Sequence, residues 1–263
     1  MNMLPVAQRR LLVMMDSDMR AAPDFLSRVL DVLAEPDVGL VTALYRGRAA
    51  DDGLWSTLAA QHINHGFLPQ ALLGERLSPG QGCFGAGIVM DRATLEAIGG
   101  FPSIADALAD DYALGAGVRK LGKRVVVSPI LLDDWLSERS YAALFRHELR
   151  WLFTIRGVAP WGHLGLILTH PVALAAIAAV LGGSSLTPLL GLAVALLVRF
   201  GMVRAVDRAL GLNPTPLWRV PVRDLMSFAV YVASFFTKTV AWRDHHFEVS
   251  RQGRLIGDGD RAR

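Results

Sequence analysis

The fold class predicted from this sequence depends on residues 11–18, which read LLVMMDSD. The first five of them form a short, continuous apolar run, and this pattern is typical of a parallel strand that is buried on both faces. In open α/β sheets, ligands bind outside the carboxyl ends of such strands. We therefore expect Asp16 and Asp18 to lie at the ligand-binding edge of a sheet.

A helix and a second strand follow this stretch. Pro23 and Asp24 are helix-start signals, because proline fits the first helical turn and an early carboxylate complements the helix dipole. Residues 25–33 carry an apolar face, and Pro36 ends the helix. Residues 38–45 are rich in the β-branched and aromatic residues of a strand. Strand, helix and strand form a βαβ-like unit, so we predict an α/β domain.

The remainder of residues 1–160 alternates between predicted helices and strands. Apolar periodicity and glycine or proline breaks predict helices over residues 54–73 (interrupted near Pro69), 92–98, 107–121 and 140–155, and strands over residues 86–90 and 125–128. A glycine-rich segment that includes Gly82 and Cys83 precedes the strand at 86–90. Its glycines either let the backbone approach a ligand closely or belong to a plain loop.

Composition indicates a membrane part after this domain. The chain has 263 residues and is 52% hydrophobic, whereas roughly 45–50% is usual for soluble proteins. The excess lies in three apolar blocks, over residues 163–181, 185–203 and 222–241, each close to the roughly 20 residues that cross a bilayer as a helix. A Gly-Gly-Ser-Ser turn separates the first two. The third contains Asp224 and Lys238, so it either spans the membrane or lies at its interface.

Charge, cysteine content and the amino terminus exclude other classes. The formal net charge is +3, and the arginines cluster beside the apolar blocks, which favours the cytoplasmic side of a membrane over nucleic-acid binding. The single cysteine, Cys83, rules out an intrachain disulfide and a C-x-x-C metal framework, as in a reducing compartment. Residues 1–10 lack the pattern of a signal peptide.

Two pairs of carboxylates are candidates for chemistry. Asp16 and Asp18 can share Mg²⁺ or Mn²⁺, which take oxygen ligands and often bridge a carboxylate to a diphosphate. An Asp-x-Asp triplet in an ordinary surface turn is an equally good interpretation. Asp110 and Asp111 either open a helix as dipole-complementing carboxylates or supply a general base that removes a proton from a hydroxyl.

A third candidate group lies on the helix predicted over residues 140–155. His147, Arg150 and Trp151 are three and four residues apart, so they share one helical face. An arginine can clamp a pyrophosphate, and a tryptophan can stack on a sugar. Taken alone, a surface arginine beside a membrane-facing tryptophan is the simpler interpretation.

Taken together and in order, these motifs resemble family 2 and family 21 glycosyltransferases. The matching segments read MDSD at 15–18, VGLVTALYRG at 38–47, GCFG at 82–85, IGGF at 98–101, LADDY at 108–112 and HELRW at 147–151. Each motif is weak, but their order and spacing are specific and cover nearly the whole chain. Within this group, the chain most resembles ceramide glucosyltransferases and the bacterial hopanoid-biosynthesis glycosyltransferases.

The resemblance implies a GT-A (nucleotide-diphospho-sugar transferase) fold and roles for the candidate residues. Asp18, helped by Asp16, holds the metal on the nucleoside diphosphate, and Asp111 is the catalytic base of an inverting, single displacement. The residues expected to line the donor and acceptor site are Asp16, Asp110, His147, Arg150, Trp151, Gly82 and Cys83. The family usually has Gln or Arg where this chain has His147.

The resemblance also implies a setting. Family members begin with a membrane helix and the first half of the nucleotide-binding domain, so the chain is expected to be truncated at its amino terminus. Residues 1–158 then form a partial GT-A, Rossmann-like domain, residues 159–243 a domain of two to three transmembrane helices, and residues 244–263 a polar tail. The expected location is a bacterial cytoplasmic membrane, multi-pass, with a cytoplasmic catalytic domain.

The expected reaction moves a sugar from a UDP-sugar to a lipid hydroxyl, with no nucleic-acid partner. The preferred version transfers N-acetylglucosamine to bacteriohopanetetrol in hopanoid biosynthesis. Ceramide glucosylation is the close alternative. Two others are an inactive, truncated membrane fragment and a metal-dependent phosphatase with Asp16 as its nucleophile.

Overall fold

The computed structural model describes residue 4, residues 6–183 and 185–237, and the backbone of three short strands beyond them. The strands are β1 (Leu11–Met15), β2 (Met19–Arg20), β3 (Val38–Thr42), β4 (Tyr45–Ala49), β5 (Gly87–Asp91), β6 (Arg124–Val127), β7 (Leu132–Leu136), β8 (Thr239–Trp242), β9 (His245–Val249) and β10 (Leu255–Ile256). The α-helices are α1 (Phe25–Leu33), α2 (Leu54–His62), α3 (Leu68–Leu77), α4 (Arg92–Ala97), α5 (Asp110–Lys120), α6 (Tyr141–Val158), α7 (Pro160–Gly165), α8 (Pro171–Leu181), α9 (Leu186–Ala209) and α10 (Arg219–Phe236).

The main sheet has four strands in the order β1-β5-β3-β6. β3 is buried along its whole length and is parallel to β6, while β5 runs antiparallel to both of its neighbours. The prediction that residues 11–15 form a parallel strand buried on both faces was therefore wrong. β1 pairs with β5 only, antiparallel, and its exposed Leu11 and Val13 alternate with the buried Leu12. β1 and β3 are nevertheless parallel to each other, with β5 between them.

Helices cover both faces of this sheet and give three layers. One core cluster joins the sheet to α4 and α5, and a second joins it to α1. Leu95, Leu114 and Val118 fill the first cluster, and Phe25 and Val29 fill the second. The α/β class expected from the sequence is confirmed, and the fold is compatible with a GT-A-like domain.

A smaller sheet lies beside the main one, in the order β2-β7-β4. β4 is parallel to β7, and β2 is antiparallel to it. The sequence reading missed this sheet, since it treated residues 38–45 as one strand and assigned none to residues 132–136. A third core cluster joins its Leu136 to α2 and α6.

The segment predicted as one helix broken near Pro69 is instead α2, a π-helical turn over Ile63–Phe67, and α3. Pro69 lies in the first turn of α3, directly after the π-helical turn. The π-helical turn brings Asn64 against β4, where its side chain bonds both the N–H and the carbonyl of Gly47 at 2.8 and 2.9 Å. The turn therefore fixes α2 and α3 to the smaller sheet.

Gly47 and Gly74 give opposite predictions for substitution by alanine. At Gly47, an added Cβ would lie 2.7 Å from the Cα atom of Ala60, so Gly47→Ala is expected to destabilise the protein by about 1–3 kcal/mol. At Gly74, in α3, nothing lies within 4 Å of an added Cβ, so Gly74→Ala is expected to stabilise by up to about 1 kcal/mol. Thermal unfolding of both variants in detergent checks this. Equal shifts in melting temperature would contradict the different packing around the two glycines.

The apolar blocks differ in how far they match membrane spans. Among the described residues, α9 is the one helix that is long and apolar enough to cross a bilayer. The block at 163–181 is not a straight span, because Pro160–Thr169 and Pro171–Leu181 meet at a bend of 63°. The predicted hairpin turn before α9 is confirmed by Gly183, whose φ of +58° suits glycine.

The third apolar block, predicted over residues 222–241, has different bounds and character. Its helix, α10, ends at Phe236 and does not meet the criteria for a span, and Arg223 and Asp224 are buried against the protein. The backbone of β8, β9 and β10 then forms a three-stranded antiparallel sheet, so the predicted polar tail contains strands. The rest of that tail and Lys238 lie outside the described residues.

Candidate active site

Asp16 and Asp18 lie in a tight turn at the carboxyl end of β1. The N–H of Asp16 bonds the carbonyl of Ala86 at 3.3 Å, and the N–H of Met19 bonds the carbonyl of Asp16 at 3.2 Å. Both carboxylates are exposed to solvent. The turn is thus a surface turn, and it lies at the edge of the sheet where β1 and β3 end and β5 begins.

Asp111 lies at the start of α5 and its carboxylate is held by backbone groups. The N–H of Gly85 bonds its Oδ2 at 2.9 Å, and the N–H of Tyr112 bonds its Oδ1 at 2.7 Å. Each carboxylate oxygen keeps a lone pair, so Asp111 is oriented but can still accept a proton.

Burial raises the pKa of Asp111 above its usual range, and the neighbouring Asp110 and Asp16 raise it further, against the two backbone hydrogen bonds, which lower it. Asp110 is exposed, and its Oδ1 accepts the N–H of Asp111 at 3.0 Å. A raised pKa makes Asp111 a stronger base than an ordinary aspartate once it is deprotonated.

Arg150 supplies positive charge beside these carboxylates. Partial loss of hydration raises the pKa of Asp16. The nearby Asp18 and Asp110 raise that pKa further, whereas Arg150 lowers it. The same pair acts in reverse, because burial lowers the pKa of Arg150 while Asp16 raises it. The structure therefore brings Arg150 of α6 near Asp16 of the acidic turn.

The glycine-rich segment is fixed to the main sheet by Thr42. Its buried Oγ1 accepts the N–H of Phe84 at 2.7 Å and donates to the Phe84 carbonyl at 2.8 Å. Cys83 is buried in the core cluster beside Gly115, and burial raises its pKa to about 12. The side chain of Cys83 therefore packs between the main sheet and α5. Gly82 lies against the ring of Phe84.

On α6, His147 and Trp151 lie against neighbouring side chains. The Nδ1 of His147 lies 2.8 Å from the Oε1 of Glu138, and its ring meets Trp151 edge-on at 4.6 Å. The ring of His62 also stacks on Trp151, with 6.1 Å between the ring centroids. Trp151 is partly buried against the third core cluster, so it has a packing role whatever else it contacts.

A buried ion pair joins α6 to α10. The Nη2 of Arg223 donates to the Oε2 of Glu148 at 2.5 Å, with both side chains only 4% exposed. Arg199 of α9 forms a bidentate pair with Asp224 and donates to the carbonyl of His65 at 2.8 Å. Charged contacts thus connect α9 and α10 to the helix that carries Arg150.

The sequence reading missed two residues that face the acidic turn. Asp134, in the middle of β7, is only 4% exposed, and its pKa is raised to about 7 by burial and by Asp18 and Asp16. The partly buried Tyr45 of β4 also has a raised pKa, caused by loss of hydration and then by Asp134. The signal for Asp134 was its place between Leu132 and Leu136, two residues from each, on the apolar face of a strand.

The donor set of this turn fits a hard divalent cation bound together with a diphosphate. Asp16, Asp18 and Asp134 offer carboxylate oxygens, the ligands that Mg²⁺ and Mn²⁺ prefer. Within the part of the chain that the structure describes, no three His, Cys, Asp or Glu side chains come together as a metal cage. A cation here would thus need oxygens from a ligand and from water, which is the usual way in which Mg²⁺ is bound in nucleotide sites.

A comparison with protein families decides the family. The model of glycosyl transferase family 21 matches residues 1–255. The chain belongs to glycosyl transferase family 21. Among curated proteins, no sequence matches the chain significantly. Family 21 membership makes the protein a transferase whose substrates are a sugar donor and an acceptor, and it confirms the family resemblance seen in the sequence motifs.

Proposed function

We propose that this family 21 protein transfers a sugar from a UDP-sugar to the hydroxyl of a membrane lipid, with inversion at the anomeric carbon. The observation that carries the proposal is the position of Asp111, whose carboxylate is oriented by two backbone N–H groups and lies near enough to Asp16 for Asp16 to raise its pKa. Arg150 in turn lies near Asp16, whose pKa it lowers. A single displacement requires a base near the donor, and an oriented carboxylate close to an acidic turn and an arginine supports such a reaction.

Asp111 acts as the general base in this proposal. Its carboxylate accepts the proton of the lipid hydroxyl while the hydroxyl oxygen forms its bond to the anomeric carbon and the bond to UDP breaks. Two fixed hydrogen bonds hold the carboxylate still, so the remaining lone pairs point in defined directions. Single displacement from one face of the sugar inverts its configuration.

Asp16, Asp18 and Arg150 would bind the donor. Bound Mg²⁺ or Mn²⁺ would stabilise the charge on the departing diphosphate, with Asp18 and Asp16 as its protein ligands. Arg150 lies close enough to Asp16 to lower its pKa, so it can also contact a diphosphate bound there. Asp110 would support Asp111 by accepting the backbone N–H of Asp111. His147 and Trp151 lie within one helical turn of Arg150 on α6.

The exposed apolar helices support a lipid acceptor. Only 6% of the most apolar window of α9 is buried within the protein, which separates it from the core helix of a soluble domain. Val180 and Leu181 of α8 are also more than 80% exposed. We propose that α9 and the bent pair before it lie in the bacterial cytoplasmic membrane, with residues 1–158 as the catalytic domain on the cytoplasmic side.

The preferred substrates are UDP-N-acetylglucosamine and bacteriohopanetetrol, on the strength of the motif resemblance, and ceramide with UDP-glucose is the alternative. The test is transfer of radiolabel from each UDP-sugar into extractable lipid by the full chain in detergent, with each acceptor offered alone. We expect label in the hopanoid arm. Label in the ceramide arm alone would favour the alternative, and no labelled lipid in any arm would refute lipid glycosylation.

The pH dependence of this transfer follows from the pKa of Asp111. A base must be deprotonated, so kcat is expected to fall as the pH drops through the pKa of Asp111, which burial raises above 3.8. Since Asp110 raises that pKa, Asp110→Asn is expected to move the acidic limb to lower pH. Rates measured across a pH series in both proteins check this, and an unmoved limb would count against Asp111 as the titrating base.

A further inference from the structure

Asp134 carries a buried carboxylate oxygen without a hydrogen-bond partner. Its Oδ1 has almost no solvent contact and no donor within reach, and the residue is 4% exposed. Leaving a buried polar atom unpaired costs about 1–3 kcal/mol, and more for a charged one. A residue of this kind on the apolar face of a strand therefore needs a reason that the protein's own contacts do not supply.

The backbone places Asp134 beside the acidic turn. In β7, Asp134 is paired with Met19 of β2, the residue that follows Asp18. The N–H of Trp135 bonds the carbonyl of Asp18 at 3.2 Å, which ties the two segments together. Asp18 and Asp16 are also the two charged groups that act most strongly on the Asp134 carboxylate. The unpaired carboxylate thus lies next to the acidic turn.

A bound cation would satisfy this arrangement, but not as a third direct ligand. Among the residues described, no three His, Cys, Asp or Glu side chains are close enough to coordinate one ion directly. Mg²⁺ usually keeps several of its waters in protein sites, and groups that bond such outer ligands orient them and raise metal affinity. A metal-bound water is a hydrogen-bond donor of the type that the Oδ1 of Asp134 lacks.

We propose that Asp134 is a further residue of the metal site, and that its carboxylate binds the divalent cation through one of the cation's water ligands. The proposal rests on the proposed function, because that function supplies the metal between Asp16, Asp18 and the diphosphate. Asp134 is a positioning residue here, since it acts on the cation's hydration and touches no reacting atom.

The test measures Mn²⁺ binding by the full chain in detergent, by electron paramagnetic resonance of the free ion, together with thermal unfolding. In Asp134→Asn, we expect Mn²⁺ to bind about tenfold more weakly, and the metal-free protein to melt at a higher temperature, since a neutral amide replaces a buried charge. Asp18→Asn should lose Mn²⁺ binding, and the exposed Asp31→Asn should match the parent protein.

Two outcomes would overturn the inference. One is an unchanged Mn²⁺ affinity in Asp134→Asn, particularly with a lower melting temperature without metal, which is the signature of a merely structural carboxylate. The other is no Mn²⁺ binding by the parent protein. Asp134→Ser serves as a second variant if the asparagine variant does not fold. Labelled lipid is scored separately, so Asp134-dependent Mn²⁺ binding without transfer would refute the proposed function and leave the inference standing.

Discussion

Replacing Asp111 by asparagine is expected to lower kcat for sugar transfer about 10³-fold, because general-base catalysis typically contributes between about 10² and 10⁴. The amide cannot take the proton of the acceptor hydroxyl. The donor contacts proposed for Asp16, Asp18 and Arg150 are untouched by this change, so the affinity for UDP is expected to stay within about threefold. The measurement is kcat with saturating donor, together with the Kd for UDP.

The change also has a local structural cost that must be controlled. Each oxygen of Asp111 accepts one backbone N–H group, and asparagine keeps only one acceptor oxygen, so one of the two hydrogen bonds is lost. Thermal unfolding therefore accompanies the rates. The matched control is Asp106→Asn, at an exposed aspartate just before α5, which should keep full activity. A folded Asp111→Asn variant with near-normal kcat would exclude Asp111 as the base.

Removing Glu148 is expected to produce the largest loss of stability. Glu148→Leu leaves Arg223 buried without its partner, and breaking a buried ion pair typically costs about 3–5 kcal/mol. Losing this ion pair should weaken the packing of α6 on α10, and Arg150 on α6 would then be held less firmly in place. Thermal unfolding in detergent measures it, with Asp24→Asn as control, since Asp24 pairs with Arg28 in an exposed contact worth less than about 1 kcal/mol.

The double variant Glu148→Leu/Arg223→Met distinguishes the electrostatic effect of breaking the ion pair from the effect of the packing around it. Glu148 Oε1 and Arg223 Nη1 are already buried without partners, so the pair is incompletely satisfied. Replacing both charges with apolar side chains should therefore restore most of the stability that the single variant loses. If the double variant is as unstable as Glu148→Leu, the loss comes from packing around Glu148 and the electrostatic explanation fails.

The sequence predicted those parts of the fold that local signals specify. Pro23 and Asp24 marked the start of α1, and the Gly-Gly turn marked the hairpin before α9. The position of Asp16 and Asp18 at a strand end followed from the apolar run before them. The pairing of that strand did not, because a short apolar run is equally compatible with parallel and antiparallel neighbours, and the partner β5 lies more than seventy residues away.

The missed elements share a physical cause. β4 and β7 pair with each other across more than eighty residues of sequence. β4 also contains Arg46 and Arg48, and these charged residues make its sequence unlike that of a typical strand. Both arginines bond Asp133, a contact visible only in three dimensions. Asp134 was hidden for the same reason, since a strand that was not recognised offers no alternation against which a buried carboxylate stands out.

The bend in the block at 163–181 was missed because hydropathy measures length and composition only. Pro171 begins α8 after a 3₁₀ segment over Leu166–Thr169, and proline there removes the hydrogen bonds that would have continued one straight helix. Buried charges on α10 escaped for a related reason. Arg223 and Asp224 form ion pairs with Glu148 and Arg199 from other helices, and these partners lie too far along the chain to appear in a local stretch of sequence.

The central claim is that this family 21 protein joins a sugar to a lipid by one inverting displacement. The most direct test is the anomeric configuration of the lipid product, read by nuclear magnetic resonance after transfer from an α-linked UDP-sugar. A single displacement at a base-assisted hydroxyl predicts a β-linked glycolipid. An α-linked glycolipid, or release of free sugar without a lipid product, would contradict the account.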